Sequence, residues 1–248
     1  MSINHPPIVI LDFDGVILPS TGAKLAISQE IQNNHYQWNQ NELNKLQPID
    51  LIRRVERVDT DKNWKMGYQI YQSFQDILPK PIDRIRFLLN LQRSVRNAEF
   101  KYAEFFPYVI PTLTKLSQYA IIGICTNSER KRIIRWLTRY SISHLITAFT
   151  SRDDRKRYGV KPDPKILLYT LIKIKHQKKI NSRLDKSRIY FVGDNVSDIL
   201  TAKNAGVKSV AVLSGHSTKE ELLEVCPDFL IPTIEEIFSI PDLSRNSS

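Results

Sequence analysis

Four aspartates and one lysine are the residues of this sequence whose types and spacing could do chemistry. Asp12 and Asp14 flank Phe13 in "LDFDG", Asp194 and Asp198 stand four apart in "GDNVSD", and Lys161 opens "KPDP". If the carboxylates converge, each like-charged pair at about 4 Å costs roughly 4 kcal/mol at an effective dielectric of 20, so the cluster needs a cation. An oxygen-only set without neighbouring His or Cys suits Mg²⁺, which keeps several waters and accepts a phosphate oxygen. Lys161 would add the remaining positive charge. A carboxylate nucleophile, a metal and an ammonium facing an anion are the equipment of phosphoryl transfer. His35, His144, His176 and His216 show no ligand spacing and are read as incidental.

These residues need elements that bring them together. Continuous apolar runs bounded by turn signals predict strands buried on both faces: "IVIL" from Ile8, "AIIGIC" from Ala120, "IYFV" from Ile189 and "VKSVAVL" from Val207. "ITAFT" from Ile146 is a weaker strand candidate and "DFLI" from Asp228 a short edge strand. Helical patterns lie between them: "ERKRIIRWLTRY" with Ser128 as N-cap, "PKILLYTLIKI" with Asp163 as N-cap, and "SDILTAKNAG" closing on Gly206. Alternating strand and helix imply an α/β fold, a Rossmann-like three-layer parallel sheet. In such a sheet, chemistry gathers outside the C-terminal strand ends. The strands here end in "DFDG", "CTNS" with Thr126 and Asn127, and "VGDNVSD". From Pro19 to Ala103 the alternation gives way to helix upon helix, an inserted all-helical module with Trp38, Trp64, Phe74 and Leu88 among its apolar positions.

The 248 residues carry a formal charge of +10, which attracts anions in general. Arg130, Lys131, Arg132 and Arg135 share one predicted helix, Arg152, Arg155, Lys156 and Arg157 crowd one loop, and Lys173, Lys175, Lys178 and Lys179 end another helix. They read as solvated faces or, more sharply, as an anion-attracting rim. Neither a secretory leader nor a membrane span is visible, so the expectation is a cytoplasmic protein with no membrane partner. Cys125 and Cys226 lack CxxC spacing and are expected as reduced core residues. The two ends, up to about Pro7 and after Asp242, are expected to be disordered.

With those motifs in that order, the chain resembles the haloacid dehalogenase superfamily, in its phosphatase branch with a helical cap inserted after the first motif, as in phosphoglycolate phosphatases. The match divides the chain into a catalytic core, residues 1–18 and 104–248, and a cap, residues 19–103. The resemblance implies that Asp12 is the nucleophile and a metal ligand. It makes Asp14 the general acid and base, ligating through its carbonyl, and has Thr126 and the Asn127 backbone hold phosphoryl oxygens. Lys161 would then stabilise nucleophile and phosphate, Asp194 bind Mg²⁺ directly and Asp198 assist. Two features depart from the pattern: Pro19 stands before Ser20 where an acidic residue is usual, and the connection "KIKHQKKINSRLDKS" is long and basic.

The implied function is Mg²⁺-dependent hydrolysis of a small phosphorylated metabolite, a phosphomonoester such as phosphoglycolate or a sugar phosphate. The alternatives are a sugar-phosphate mutase on the same intermediate, or a nucleic-acid end phosphatase or binding protein using the basic surface, for which no zinc-finger or RRM-like motif speaks. In the inserted module Lys24, Arg53, Arg54 and Arg57, with Trp38 and Trp64 as walls, are candidates for substrate contact.

Overall fold

The computed structural model describes residues 5–32, 36–48, 50–51, 54 and 63–244. The chain forms two compact units, Ser20–Glu104 and Met1–Pro19 with Phe105–Ser248.

The first of these is helical throughout its described elements: α1 (Thr21–Gln32), α2 (Gln40–Leu43), α3 (Asn63–Ser73) and α4 (Pro81–Tyr102). Pro81 starts α4 at the position where a missing N–H costs nothing. Its interior is a cluster built on Ile27, Tyr36, Phe74, Ile77 and Phe87. Trp38 packs against that cluster, its ring centroid 5.2 Å from that of Phe87, and so serves the core of this unit. Arg54 is held by Asp76 in an ion pair at 2.5 and 2.7 Å, and Lys24 is exposed. Arg53, Arg57 and His35 lie outside the described residues.

The second unit carries a six-stranded, all-parallel sheet. Its strands are β1 (Ile8–Leu11), β2 (Ile121–Cys125), β3 (Ala148–Thr150), β4 (Ile189–Gly193), β5 (Lys208–Val212) and β6 (Phe229–Ile231), in the order β3-β2-β1-β4-β5-β6. Both weaker strand candidates are therefore present, one on each edge. Helices α5 (Val109–Leu116), α6 (Arg130–Arg139), α7 (Arg155–Tyr158), α8 (Pro164–Gln177), α9 (Val196–Ala205) and α10 (Lys219–Glu224) connect the strands. Every residue of β1, β2 and β4 is buried, as apolar runs without alternation require. Ile8, Ile10, Ile189 and Phe191 meet Ile166, Leu167 and Ile174 of α8 and Ala202 and Ala205 of α9 in one cluster.

Register sets the position of the chemistry. Leu11 lies level with Ile124 of β2 and Val192 of β4, so Asp12 emerges beside Cys125 and Gly193 at the C-terminal rim. The strand order reverses on either side of β1, which places this rim at the topological switch point.

Among the described residues, those nearest the two ends depart from expectation, while residues 1–4 and 245–248 lie outside the described residues. His5 is buried, accepting at Nε2 from the Asp185 backbone N–H at 2.9 Å. At the other end Leu243 is fully buried and Tyr190 donates to Asp242 at 2.6 Å. These contacts bury His5 and Leu243, where exposed polar ends have no such partners. Cys226 is exposed at a positive φ in the turn after α10, so of the two cysteines only Cys125 is a core residue. No helix among the described residues is long and apolar enough to cross a membrane.

Candidate active site

Asp12 extends the β1 ladder by one bond, its N–H donating to the Val192 carbonyl at 2.8 Å. Its carboxylate, buried at 6 % exposure, meets those of Asp194 and Asp198, with one ligand oxygen from each within 4.8 Å of the others. Lys161, just ahead of α8, puts Nζ 2.9 Å from Asp12 Oδ1 and donates to Asp198 Oδ1. Three of the four aspartates and the lysine thus converge from the ends of β1 and β4 and the loop entering α8.

Backbone details secure each carboxylate. Asp198 lies in the first turn of α9 and its Oδ2 accepts from the Asn195 N–H at 3.1 Å, closing a capping box with Asn195. Asp194 sits in a cradle of glycine: a Cβ on Gly215 would fall 1.9 Å from its Oδ2, and one on Gly15, whose φ is +74°, would fall 2.2 Å away. His216 closes this cradle, its backbone N–H donating to Asp194 Oδ2 at 2.7 Å. Its buried ring Nδ1–H reaches the same oxygen at 2.9 Å. His216 was expected to be incidental. It follows β5 in "VLSGHS", and a polar run at the end of a further parallel strand is the sequence signal that places it here.

Asp14 is held elsewhere. Arg132 of α6 grips it bidentately, Nη2 to Oδ1 at 2.6 Å and Nη1 to Oδ2 at 2.8 Å, and the Ser128 hydroxyl donates to Oδ2 as well. Ser128 therefore does not cap α6. The helix starts at Arg130 with Glu129 as N-cap, because the Ser128 oxygen is engaged with Asp14. Thr126 is buried directly after β2, its Oγ1 accepting from the Ser128 N–H at 3.1 Å, and Asn127 beside it is exposed. His144 and His176 are exposed.

The electrostatics follow from this layout. Burial pushes the Asp12 carboxyl above the ordinary range, with Asp194 and Asp14 adding to it, against the pull of Lys161. Burial likewise pushes Asp198 up to about 8 even with Lys161 alongside. Lys161 is raised, because Asp12 and Asp198 outweigh the burial that opposes its charge. For Asp14, burial acts upward, but the charge and hydrogen bonds of Arg132 with that of Ser128 win and hold it low. Three carboxylates around one ammonium are short of positive charge. Asp12 Oδ1, buried, has Lys161 at ion-pair distance but no hydrogen bond of good geometry. An all-oxygen, charge-deficient, buried triad fits a hard divalent cation such as Mg²⁺.

The model of the haloacid dehalogenase-like hydrolases matches residues 9–212, a span that includes all five of these side chains. The chain belongs to the haloacid dehalogenase-like hydrolase family. Among its relatives is a phosphoglycolate phosphatase of Vibrio cholerae, 30 % identical over 141 residues, a match spanning 56 % of this chain and 58 % of that protein. The pyrophosphatase PpaX of Halalkalibacterium halodurans is 24 % identical over 178 residues, covering 71 % of this chain and 76 % of its own length. The fold is that of a haloacid dehalogenase-like hydrolase from Streptococcus pneumoniae, with a TM-score of 0.63 at 17 % identity, 94 % of this chain and 97 % of that one being covered. The phosphoglycolate phosphatase matches extend over about half of either protein, 51 % of this chain and 50 % of the relative for that of Agrobacterium fabrum.

Proposed function

We propose that this protein is a Mg²⁺-dependent phosphatase that hydrolyses a small anionic phosphomonoester through an aspartyl-phosphate, with the helical unit as its cap. The observation that carries this reading is the convergence of Asp12, Asp194 and Asp198 on Lys161 at the switch point of the sheet. The names of the relatives, one acting on phosphoglycolate, a phosphomonoester, and one on pyrophosphate, a phosphoanhydride, support a small phosphorylated anion as the substrate.

Asp12, Asp194 and Asp198, with the Asp14 carbonyl, would hold Mg²⁺, which supplies Lewis-acid neutralisation of the phosphoryl charge. Lys161 neutralises Asp12 and the incoming phosphoryl group together. An Asp12 carboxylate oxygen attacks phosphorus as the bond to the ester oxygen breaks, and the departing oxygen takes a proton that Asp14, ionised while paired with Arg132, first draws from solvent. Water then attacks the same phosphorus, its proton passes to Asp14, and cleavage of the Asp12 oxygen–phosphorus bond releases phosphate and restores both side chains. Thr126 and the Asn127 N–H steady the phosphoryl oxygens at the end of β2.

The test is release of inorganic phosphate from p-nitrophenyl phosphate and from a panel of phosphorylated metabolites with and without Mg²⁺. Asp12→Asn is expected to lower kcat by about 10⁴-fold or more, since loss of a nucleophile removes a whole route. A fully active Asp12→Asn protein would sink the reading, and transfer of the phosphoryl group to a sugar instead of water would identify a mutase.

A further inference from the structure

Arg132 stands where none of the steps above requires it, yet it makes the most complete side-chain contact of the site. Both its terminal nitrogens bond Asp14, at 2.6 and 2.8 Å, and Ser128 fills a further acceptor position on Oδ2. A carboxylate gripped on both oxygens by a cation cannot also turn to a leaving oxygen with a proton. For Asp14 to act, the fork must give it up. The guanidinium has an anchor of its own, with its central carbon 5.4 Å from the Phe13 ring centroid. That ring is fully buried and lies edge-on to Phe105 at 6.2 Å. Arg132 can therefore keep its place when Asp14 leaves it. The pair is also reachable, with 25 % of the Arg132 and 31 % of the Asp14 side chain exposed.

We propose that Arg132 is a specificity-determining residue that receives a second anionic group of the substrate, a carboxylate or second phosphoryl, in the fork that holds Asp14, and that this exchange releases Asp14. The inference rests on the phosphatase reading and narrows its substrate class. A guanidinium presents two parallel N–H groups that match a carboxylate or phosphoryl edge, so one anion replaces another without leaving the cation bare. A substrate whose only charge is on the reacting phosphoryl group offers Arg132 nothing in return.

Phosphoglycolate and ethyl phosphate separate the cases, because they share the phosphoryl group and differ by a carboxylate in place of a methyl. Calorimetric titration of the Asp12→Asn protein in Mg²⁺ measures binding without turnover. Phosphoglycolate is expected to bind tighter than ethyl phosphate by about 30-fold, and the further change Arg132→Gln should cut that ratio to about 3-fold or less. Arg132→Lys, with charge but no fork, should give a ratio between the two. Because the readout is a ratio, a general loss of folded protein leaves it unmoved. Equal affinity for the two ligands in the Asp12→Asn protein, or a ratio that survives Arg132→Gln, overturns the proposal. Failure of the unmodified protein to hydrolyse any phosphomonoester would instead count against the phosphatase reading, and the binding ratio would still judge Arg132.

Discussion

Asp12 and Asp14 are two residues apart and occupy opposite surroundings, one buried among carboxylates and one in the grip of Arg132. The convergence of Asp12, Asp194, Asp198 and Lys161 was legible through their joint occurrence, each at the end of an apolar strand or in the loop entering a helix, since any one of these short motifs alone is a common turn. Arg132 stood out only as one of several basic residues on its helix and His216 only within the polar run after β5, and neither signal names Asp14 or Asp194 as its partner. The two cysteines illustrate the same contrast between burial and sequence. Cys125 adjoins Asp12 in register, and burial pushes its thiol up to about 11, whereas Cys226 is exposed. At pH 8 the Cys125 thiolate fraction is then about 10⁻³, and the pH must pass 11 before it dominates. One thiol per native chain should react promptly with a disulfide reagent at pH 8, and two after denaturation. Two prompt thiols in the native protein would show that the end of β2 is open.

At the scale of elements, what was legible depended on whether local chemistry decides. Helix α8 was readable because Asp163 and Pro164 form a complete start signal: the Asp163 side chain accepts from the Lys165 N–H at 2.9 Å. Helix α6 starts one residue later than the sequence suggests, since the serine that could cap it is taken by Asp14 in the loop after β1. Strand β3 has only three residues and was a weak pattern, and it is held by pairing with β2 and by α8 packed against it. Asp163→Ala removes the α8 cap and should cost about 1 kcal/mol, read as a lowered denaturation midpoint with little change in the denaturant slope. Asp163→Ser should recover most of it. If Asp163→Ala leaves the midpoint unchanged, the cap contributes nothing to folding, and the placement of Lys161 ahead of α8 rests on packing alone.

Over the whole molecule the charge is uneven in depth. The buried centre holds three carboxylates around one ammonium, while the chain as a whole carries +10. Part of that excess lies on the exposed Lys178, Lys179 and Arg183 in the long basic connection before β4, which offers no catalytic group. Such a surface raises the local concentration of anions around the molecule without forming a site, and its reach is set by ionic strength. The screening length falls from about 30 Å at 10 mM salt to about 3 Å at 1 M, so the contribution of distant charges vanishes across that range. For a multiply charged phosphomonoester, kcat/KM should therefore fall by about 10-fold between these limits, while kcat, which starts from bound substrate, changes by less than about 2-fold. A substrate of lower charge should show a shallower slope. Flat kcat/KM for both would mean that the positive surface plays no part in capture, and that the site draws substrate only through the groups in contact with it.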